Sequence, residues 1–320
     1  MAFVFGPVPS RRLGRSLGVD PIPPKTCNWN CVYCQLGRTG PLVTERREFF
    51  PRAEILSEVL QALAGLAPGA VDWLTFVGSG ETTLYEGLGW LIRQVKQHTR
   101  VPVAVITNGS LLYLPQVREE LLAADAVLPT LDAGSERLYR RIDRPSPLLD
   151  FDKHARGLAA FRAQYSGRLW VEVMLVQGLN DSEEALREIA GALDAIRPDC
   201  VHLSLPVRPP CEPWVKLAGD AAVERALAIL GAKARVLHPA EAELDLAGCE
   251  DPAQAIVQIV TRHPMGDEEL RRALRRWKRE EIEEALQRLR DGGQVQLVER
   301  HGALFWSSAN YRYKELEVGK

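Results

Sequence analysis

Three cysteines, Cys27, Cys31 and Cys34, fall within the stretch PKTCNWNCVYCQ (residues 24–35) in the order C-x3-C-x2-C, with Tyr33 just before the last. In a reducing compartment so tight a group is better suited to holding a metal or to redox chemistry than to a disulfide scaffold. Structural zinc takes four ligands, usually as two separated pairs, yet no histidine lies between residues 1 and 97. Three thiolates with no fourth donor nearby suggest an open coordination position. Thiolates select zinc or iron–sulfur clusters, and on a four-iron cluster three of them leave one iron free to bind something else.

Two further groups bear on chemistry. GSGET, residues 78–82, offers Gly78, Ser79, Gly80 and Glu81; alone it fits a phosphate loop or a plain turn. SRRLGRS, residues 10–16, places Arg11, Arg12 and Arg15 ahead of the cysteines, and Arg208 stands in PVRPP near residue 208. Arginine binds carboxylate or phosphate bidentately, so an anionic ligand, whether a substrate or a cofactor's carboxylate, is one reading of them. Pairing with acidic neighbours is the other. Residues 1–50 carry seven Lys/Arg against three Asp/Glu, and residues 51–250 carry 20 against 27, so a basic entrance competes with ordinary surface variation.

These residues need a frame. LGVDPI (17–22), DWLTFVG (72–78), VPVAVITN (101–108), AVLPTLD (126–132), RLWVEVMLV (168–176) and CVHLSLPV (200–207) are short apolar runs of the kind that form strands buried on both faces. Helical patterns over 52–66, 84–97, 115–124, 151–164, 182–195 and 219–231 separate them. The alternation predicts an α/β fold with about six βα units in one parallel sheet, a partial barrel or a doubly wound sheet. Ligands then bind at the C-terminal strand ends. The cysteines, GSGET, TNG (107–109), LDAG (131–134), QGLND (177–181) and PVRPP (206–210) all fall at such ends.

C-x3-C-x2-C with its aromatic resembles the signature of the radical S-adenosylmethionine (SAM) superfamily. GSGETTL is similar to that superfamily's glycine-rich motif in its G-x-G-E-P-T-L form, with Thr82 where the proline would stand. The resemblance implies a partial (βα)6 barrel in which Cys27, Cys31 and Cys34 ligate three irons of a [4Fe-4S] cluster and SAM chelates the fourth. It implies that Tyr33 packs beside the adenine and that Gly78, Ser79, Gly80 and Glu81 face the methionine ammonium. By their position at the strand ends, Asn108, Asp132 and Met174 are expected to line the ribose and adenine. FGPVPSRRLGRSLGVD and RPPCEPW resemble a group of iron–sulfur oxidoreductases distantly similar to wyosine-forming tRNA enzymes. Those enzymes carry extra N-terminal cysteines, whereas nothing before Cys27 is a cysteine, so the substrate stays open.

Of the remaining cysteines, Cys200 begins a strand and Cys249 sits in a linker, both expected to be inert; Cys211 could act catalytically as a hydrogen-atom donor or ligate a second cluster. After residue 250 the texture changes to three helical segments and two strands around His301–Gly302, which predicts a winged helix-turn-helix. The division expected is 1–245 for the barrel and 250–320 for the winged domain. The candidate recognition helix, 279–291, carries Glu280, Glu281, Glu283, Glu284 and Asp291, which argues against DNA. The basic run 271–279 with Trp277 is compatible with an RNA backbone or a solvated face. No 18-residue apolar span and no leader-like run is present, so the expectation is a cytoplasmic protein without membrane contact. The reading is an enzyme that abstracts hydrogen from an anionic small molecule, a nucleotide or tRNA, with a flavodoxin- or ferredoxin-type electron donor. Its rivals are a redox-sensing iron–sulfur protein that binds nucleic acid or a protein partner through the winged helix, and a glycyl-radical-type activase.

Overall fold

The computed structural model describes residues 3–237, 246 and 249–314. Six strands fall where the apolar runs lie: β2 (Gly14–Val19), β3 (Trp73–Phe76), β4 (Val103–Thr107), β5 (Ala126–Pro129), β6 (Arg168–Met174) and β7 (Cys200–Ser204). Two more extend the sheet, β1 (Val4–Ser10) at one edge and β8 (Ala234–Val236) at the other. The order is β1-β2-β3-β4-β5-β6-β7-β8; only the β1–β2 pair is antiparallel.

Helices α1 (Arg52–Ala64), α2 (Leu88–His98), α3 (Pro115–Leu121), α4 (Glu136–Ile142), α5 (Phe151–Gln164), α6 (Glu183–Ile196) and α7 (Asp220–Leu230) connect the strands. Several begin where local chemistry dictates. Asp150 accepts from the Lys153 amide at 2.7 Å, Ser182 caps α6 through the Ala185 amide, and Pro115 opens α3, where its missing N–H is no loss. Alternate strand residues feed the core: Leu74 and Phe76, Val103 and Val105, and Leu169, Val171 and Val173 are all buried against the helices. Each such side chain contributes about 1.5–3 kcal/mol of burial.

The opposite face is concave. Leu13, in the turn after β1, packs with Ala104, Ala126 and Leu128, while Arg12 from the same turn pairs with Glu172 of β6. The hairpin therefore crosses the hollow of the sheet rather than only lengthening its edge.

Three details differ from expectation. The helix expected over 84–97 starts at Leu88, because 82–84 form a 3-10 turn tied to Glu81 and Tyr85 is buried in the core. Helix α4 lies in what reads as a loop. Strand β1, FGPVPS with two prolines, sits at an edge, the place that tolerates missing N–H donors.

Beyond the sheet come α8 (Pro252–Val260), β9 (Met265–Gly266), α9 (Asp267–Ala273), α10 (Arg279–Asp291), β10 (Val295–Arg300) and β11 (Ala303–Ser308). His301 and Gly302 both take positive φ (55° and 72°), as a tight two-residue hairpin requires. The second sheet has the order β10-β11-β9, and these elements share their own core, centred on Ile256, Leu270, Leu286 and Trp306. Residues 238–245, the expected end of the barrel, and 247–248, half of the expected linker 246–249, lie outside the described residues. No helix among the described residues is long and apolar enough to cross a membrane.

Candidate functional site

The cysteine segment has almost no regular secondary structure, so its shape has to come from the residues around it. Val32 N donates to Ile142 O at 2.9 Å and Asn30 N to Asp143 O at 3.1 Å, while Ser146 N returns a bond to Asn28 O at 2.9 Å. Trp29 is buried edge-on against Tyr139 and His154, with centroids 5.4 Å away in each case. Helix α4 and the turn after it thus form the segment's back wall.

Its front is laid on the glycine-rich loop. Lys25 N donates to Ser79 O at 2.7 Å and Glu81 N to Thr26 O at 2.9 Å. A Cβ at Gly80 would stand 2.0 Å from Thr26 O, so only glycine lets the two loops approach this closely. Ser79 donates through N (3.1 Å) and Oγ (2.6 Å) to the buried carboxylate of Asp20, at the end of β2.

Two of the thiols have polar company. Lys25 Nζ donates to Cys34 Sγ at 3.2 Å and to Gly37 O at 2.8 Å. Trp29 N donates to Cys27 Sγ at 3.4 Å. Asn108 Nδ2 lies 3.9 Å from Cys27 Sγ and donates to Asn28 Oδ1 at 2.8 Å. Burial pushes the Cys27 thiol up to about 12, with Glu81 adding to the rise, and holds Cys31 well above its ordinary range. Thiols in such surroundings become thiolates when a cation joins them. Among the described residues, no three Cys, His, Asp or Glu side chains converge as on a single metal ion. A cluster takes each thiolate on a different iron, and N–H donors to sulfur are the contacts that tune such centres. The donor set fits a cluster.

Glu81 is buried and its carboxylate is engaged inside the protein. It accepts from Thr83 N (2.9 Å), Asn108 N (2.7 Å) and the hydroxyls of Thr83 and Thr107. Burial raises its pKa, and these four bonds oppose the rise. The residue ties the loop after β3 to the end of β4. Glu81 thereby positions Asn108, which in turn meets the cysteine segment.

Tyr33 donates its hydroxyl to Asp132, whose other oxygen accepts from Met174 N at 2.6 Å. Tyr33, Asp132 and Met174 thus meet at the ends of β5 and β6. Asp132 rises to about 6 because it is buried, despite the bond from Tyr33. Asp143, also buried, stands beside it, and burial and then the neighbouring Asp132 hold its pKa well above the usual carboxylate range. Asp143, Lys25, Asn28 and Asp20 are site residues that sequence reasoning missed. Of these only Lys25 and Asn28 carried a signal, their place inside the cysteine stretch.

Cys211 is fully buried; its carbonyl accepts from Lys314 N at 3.2 Å. Its side chain has no accessible surface in this structure. Its neighbour Glu212 accepts from Arg38 (2.7 Å) and Arg144 (2.6 Å), which outweigh its burial and lower its pKa. Cys200 donates to Lys233 O at the start of β7, away from the strand ends, and Cys249 is buried beside Gln258. Arg11 and Arg12 stand in the β1–β2 turn, where Arg12 pairs with Glu172 of β6, and Arg208 stands after β7, where it donates to Pro264 O at 2.6 Å.

The residues that follow the sheet close over the site. Gln35 Nε2 donates to Arg262 O at 3.2 Å, Arg38 N to Arg312 O at 2.6 Å, and the Tyr313 hydroxyl to Gln35 O. Gly37 takes φ +73°, and a Cβ there would stand 2.4 Å from Arg312 O.

Residues 22–190 match the model of the radical SAM superfamily. The chain is 36% identical over 279 residues to the UPF0026 protein MJ1312 of Methanocaldococcus jannaschii, an alignment that covers 86% of each chain. It is 42% identical over 258 residues to a protein of Brachyspira hyodysenteriae named GTPase Obg, covering 81% of this chain and 37% of that one. The chain therefore spans little more than a third of that relative's length. Its fold is similar to that of a radical SAM methyltransferase from Sphaerobacter thermophilus, at TM-score 0.52 and 18% identity, over 69% of this chain and 66% of that one. The chain belongs to the radical SAM superfamily, whose enzymes work with a [4Fe-4S] cluster and S-adenosylmethionine.

Proposed function

We propose that Cys27, Cys31 and Cys34 hold the cluster, that SAM lies across the strand ends of β3 to β6, and that the enzyme abstracts a hydrogen atom from an anionic substrate. The observation that carries this reading is the direct docking of the cysteine segment on the Ser79–Glu81 loop. It brings three thiols, two glycines and the ends of β4, β5 and β6 to one face. When bound, the cluster supplies the electron that splits a carbon–sulfur bond of SAM and releases a 5′-deoxyadenosyl radical.

The chain's own residues do the positioning. Lys25 and Asn108 supply N–H groups toward sulfur, and Tyr33 is fixed by Asp132 so that its ring forms one wall. Glu81 locks Asn108. Ser79 and the Gly78–Gly80 backbone line the approach; Met174 and Asp132 form the far side. An external one-electron donor of flavodoxin or ferredoxin type is the partner this reading calls for, because the cleavage consumes an electron that the chain's own side chains do not supply.

We infer that the elements from α8 to β11 form a winged-helix unit whose barrel partner ends near residue 245. This unit serves to cover the site, since Tyr313, Arg312 and Arg262 contact the cysteine segment itself. A groove-reading role is disfavoured: α10 carries four glutamates, and Arg271 of the preceding basic run is paired with Asp267 and Glu283. Among substrates an RNA or nucleotide and a small anionic molecule both suit the basic side chains.

The test is to replace each cysteine by alanine and measure bound iron after anaerobic reconstitution. Loss at Cys27, Cys31 and Cys34, with retention at Cys200, Cys211 and Cys249, is the expected result. Retained iron in Cys31→Ala would overturn the assignment.

A further inference from the structure

Arg262, just after α8, meets the site through both its backbone and its side chain. Its carbonyl accepts from Gln35 Nε2 at 3.2 Å, one residue past Cys34. Its guanidinium lies over the Phe5 ring of β1, 4.4 Å from the centroid, and its Nε stands 3.6 Å from Asp20 Oδ2. The sheet is shaped to seat this side chain. A Cβ at Gly18 would stand 2.1 Å from Phe5 Cζ, so glycine is what lets the ring lie against β2, close to Asp20. The attraction between cation and ring then fixes where the guanidinium stands.

Asp20 is the acceptor at the other end. It follows β2 and takes bonds from Ser79 N at 3.1 Å and Ser79 Oγ at 2.6 Å. Ser79 stands inside the glycine-rich loop, and its carbonyl accepts from Lys25 N at 2.7 Å, just ahead of Cys27. One carboxylate thus sets the position of the loop and of its seam with the cysteine segment. The Asp20 side chain is only 1% exposed and that of Arg262 11%, so solvent screens their attraction little. Burial raises the Asp20 pKa, and Ser79 and then Arg262 oppose the rise. Among the described residues, no other cation lies within ion-pair distance of this carboxylate. A buried carboxylate that loses its cation keeps an uncompensated charge, the costly way to break such a pair.

We propose that Arg262 is a positioning residue for SAM: it anchors Asp20, Asp20 fixes Ser79, and Ser79 holds the glycine-rich loop in the shape that receives the cofactor. The residues beyond the sheet thereby complete the SAM site as well as cover it. The inference rests on the reading above, in which Ser79 and the Gly78–Gly80 backbone line the approach of SAM. It concerns the side chain alone, because a substitution there leaves the Arg262 carbonyl available to Gln35.

The test is calorimetric titration of SAM into the anaerobic, cluster-loaded, unreduced full chain, with iron content measured on the same samples. Arg262→Met should keep its iron and bind SAM about tenfold more weakly, the scale of losing a charged partner. Arg262→Lys, which keeps the cation, should recover most of that loss. The decisive comparison is made in the Asp20→Asn background, where there is no carboxylate to anchor. There Arg262→Met should cost less than about threefold, because the two residues act as one unit. An equal loss in both backgrounds overturns the proposal, since packing on Phe5 alone would explain it. Unchanged SAM affinity in Arg262→Met overturns it as well. If Asp20→Asn does not load its cluster, Arg262→Lys carries the decision, and no recovery there overturns the proposal. If Arg262→Met loses its iron, Arg262→Gln takes its place, and loss of iron there too overturns the proposal in favour of a purely structural role. A wild type that holds its cluster and does not bind SAM refutes the enzymatic reading instead, so the two failures are distinguishable.

Discussion

Replacing Glu81 by glutamine separates a positioning carboxylate from one that touches ligand. One oxygen of Glu81 accepts from Thr83 N and from the hydroxyls of Thr83 and Thr107, and the other only from Asn108 N. Glutamine can keep the first set with its carbonyl, but its NH2 then faces the Asn108 N–H, donor against donor. A buried hydrogen bond to a charged group is worth about 1.5–3 kcal/mol. Removing the charge recovers part of its desolvation cost, which leaves a net loss of roughly 1–2 kcal/mol. Asn108 would then loosen, and with it the bond to Asn28 at 2.8 Å. Denaturant unfolding of the anaerobic cluster-loaded protein should show that loss, iron content should be unchanged, and SAM should bind roughly tenfold more weakly, as a 1–2 kcal/mol loss allows. Unchanged stability with SAM binding lost a hundredfold or more would rule out the positioning role, because Glu81 would then contact SAM. No change in either quantity would show that the tie to Asn108 does not matter.

The other predictions concern the site's surroundings. Lys25→Met removes the ammonium 3.2 Å from Cys34 Sγ; potentiometry should find the cluster's reduction potential more negative by tens of millivolts, and an unchanged potential would exclude this contact as a tuning device. Ending the chain at Asn310 removes the Tyr313 hydroxyl and the Arg312 carbonyl from Gln35 and Arg38; the cluster should bleach faster in air, measured by its visible absorbance. His154, buried against Trp29 and Tyr139, is lowered to about 4 by burial, against 6.5 unperturbed. Its folded pKa lies below its unfolded one, so its contribution is full above pH 6.5 and is lost as pH falls toward 4. The loss is about 3 kcal/mol. Buried acids such as Asp132 act in the opposite sense over part of that window, so the check is the difference between wild type and His154→Gln. That difference should shrink as pH falls through this window; one that stays flat would contradict the assignment.

The six parallel strands could be read because strands buried on both faces are continuous apolar runs, and the ligand face followed from topology. The cysteines, GSGET, Asn108 and Asp132 lie at that face for this reason. Sequence could not show what arises only when distant loops meet. Asp143, from the end of a short helix without a side-chain cap, stands behind Tyr33 and Asp132. Asp20 binds Ser79, 59 residues away, and Arg262 arrives from beyond the sheet altogether. Glu81 stood out by motif, but its direction did not, because four donors from two loops decide it. The prolines of β1 hid a strand, and with it the hairpin that brings Arg12 to Glu172 of β6.

Everything assigned to this site turns on its generating a radical from SAM. The sharpest test is anaerobic reconstitution of the full chain, dithionite reduction, and chromatographic measurement of 5′-deoxyadenosine with SAM alone. Wild type should yield product and Cys31→Ala none. Product at equal rates from both, or intact SAM in a wild type that holds a reduced cluster and binds SAM, would contradict the assignment.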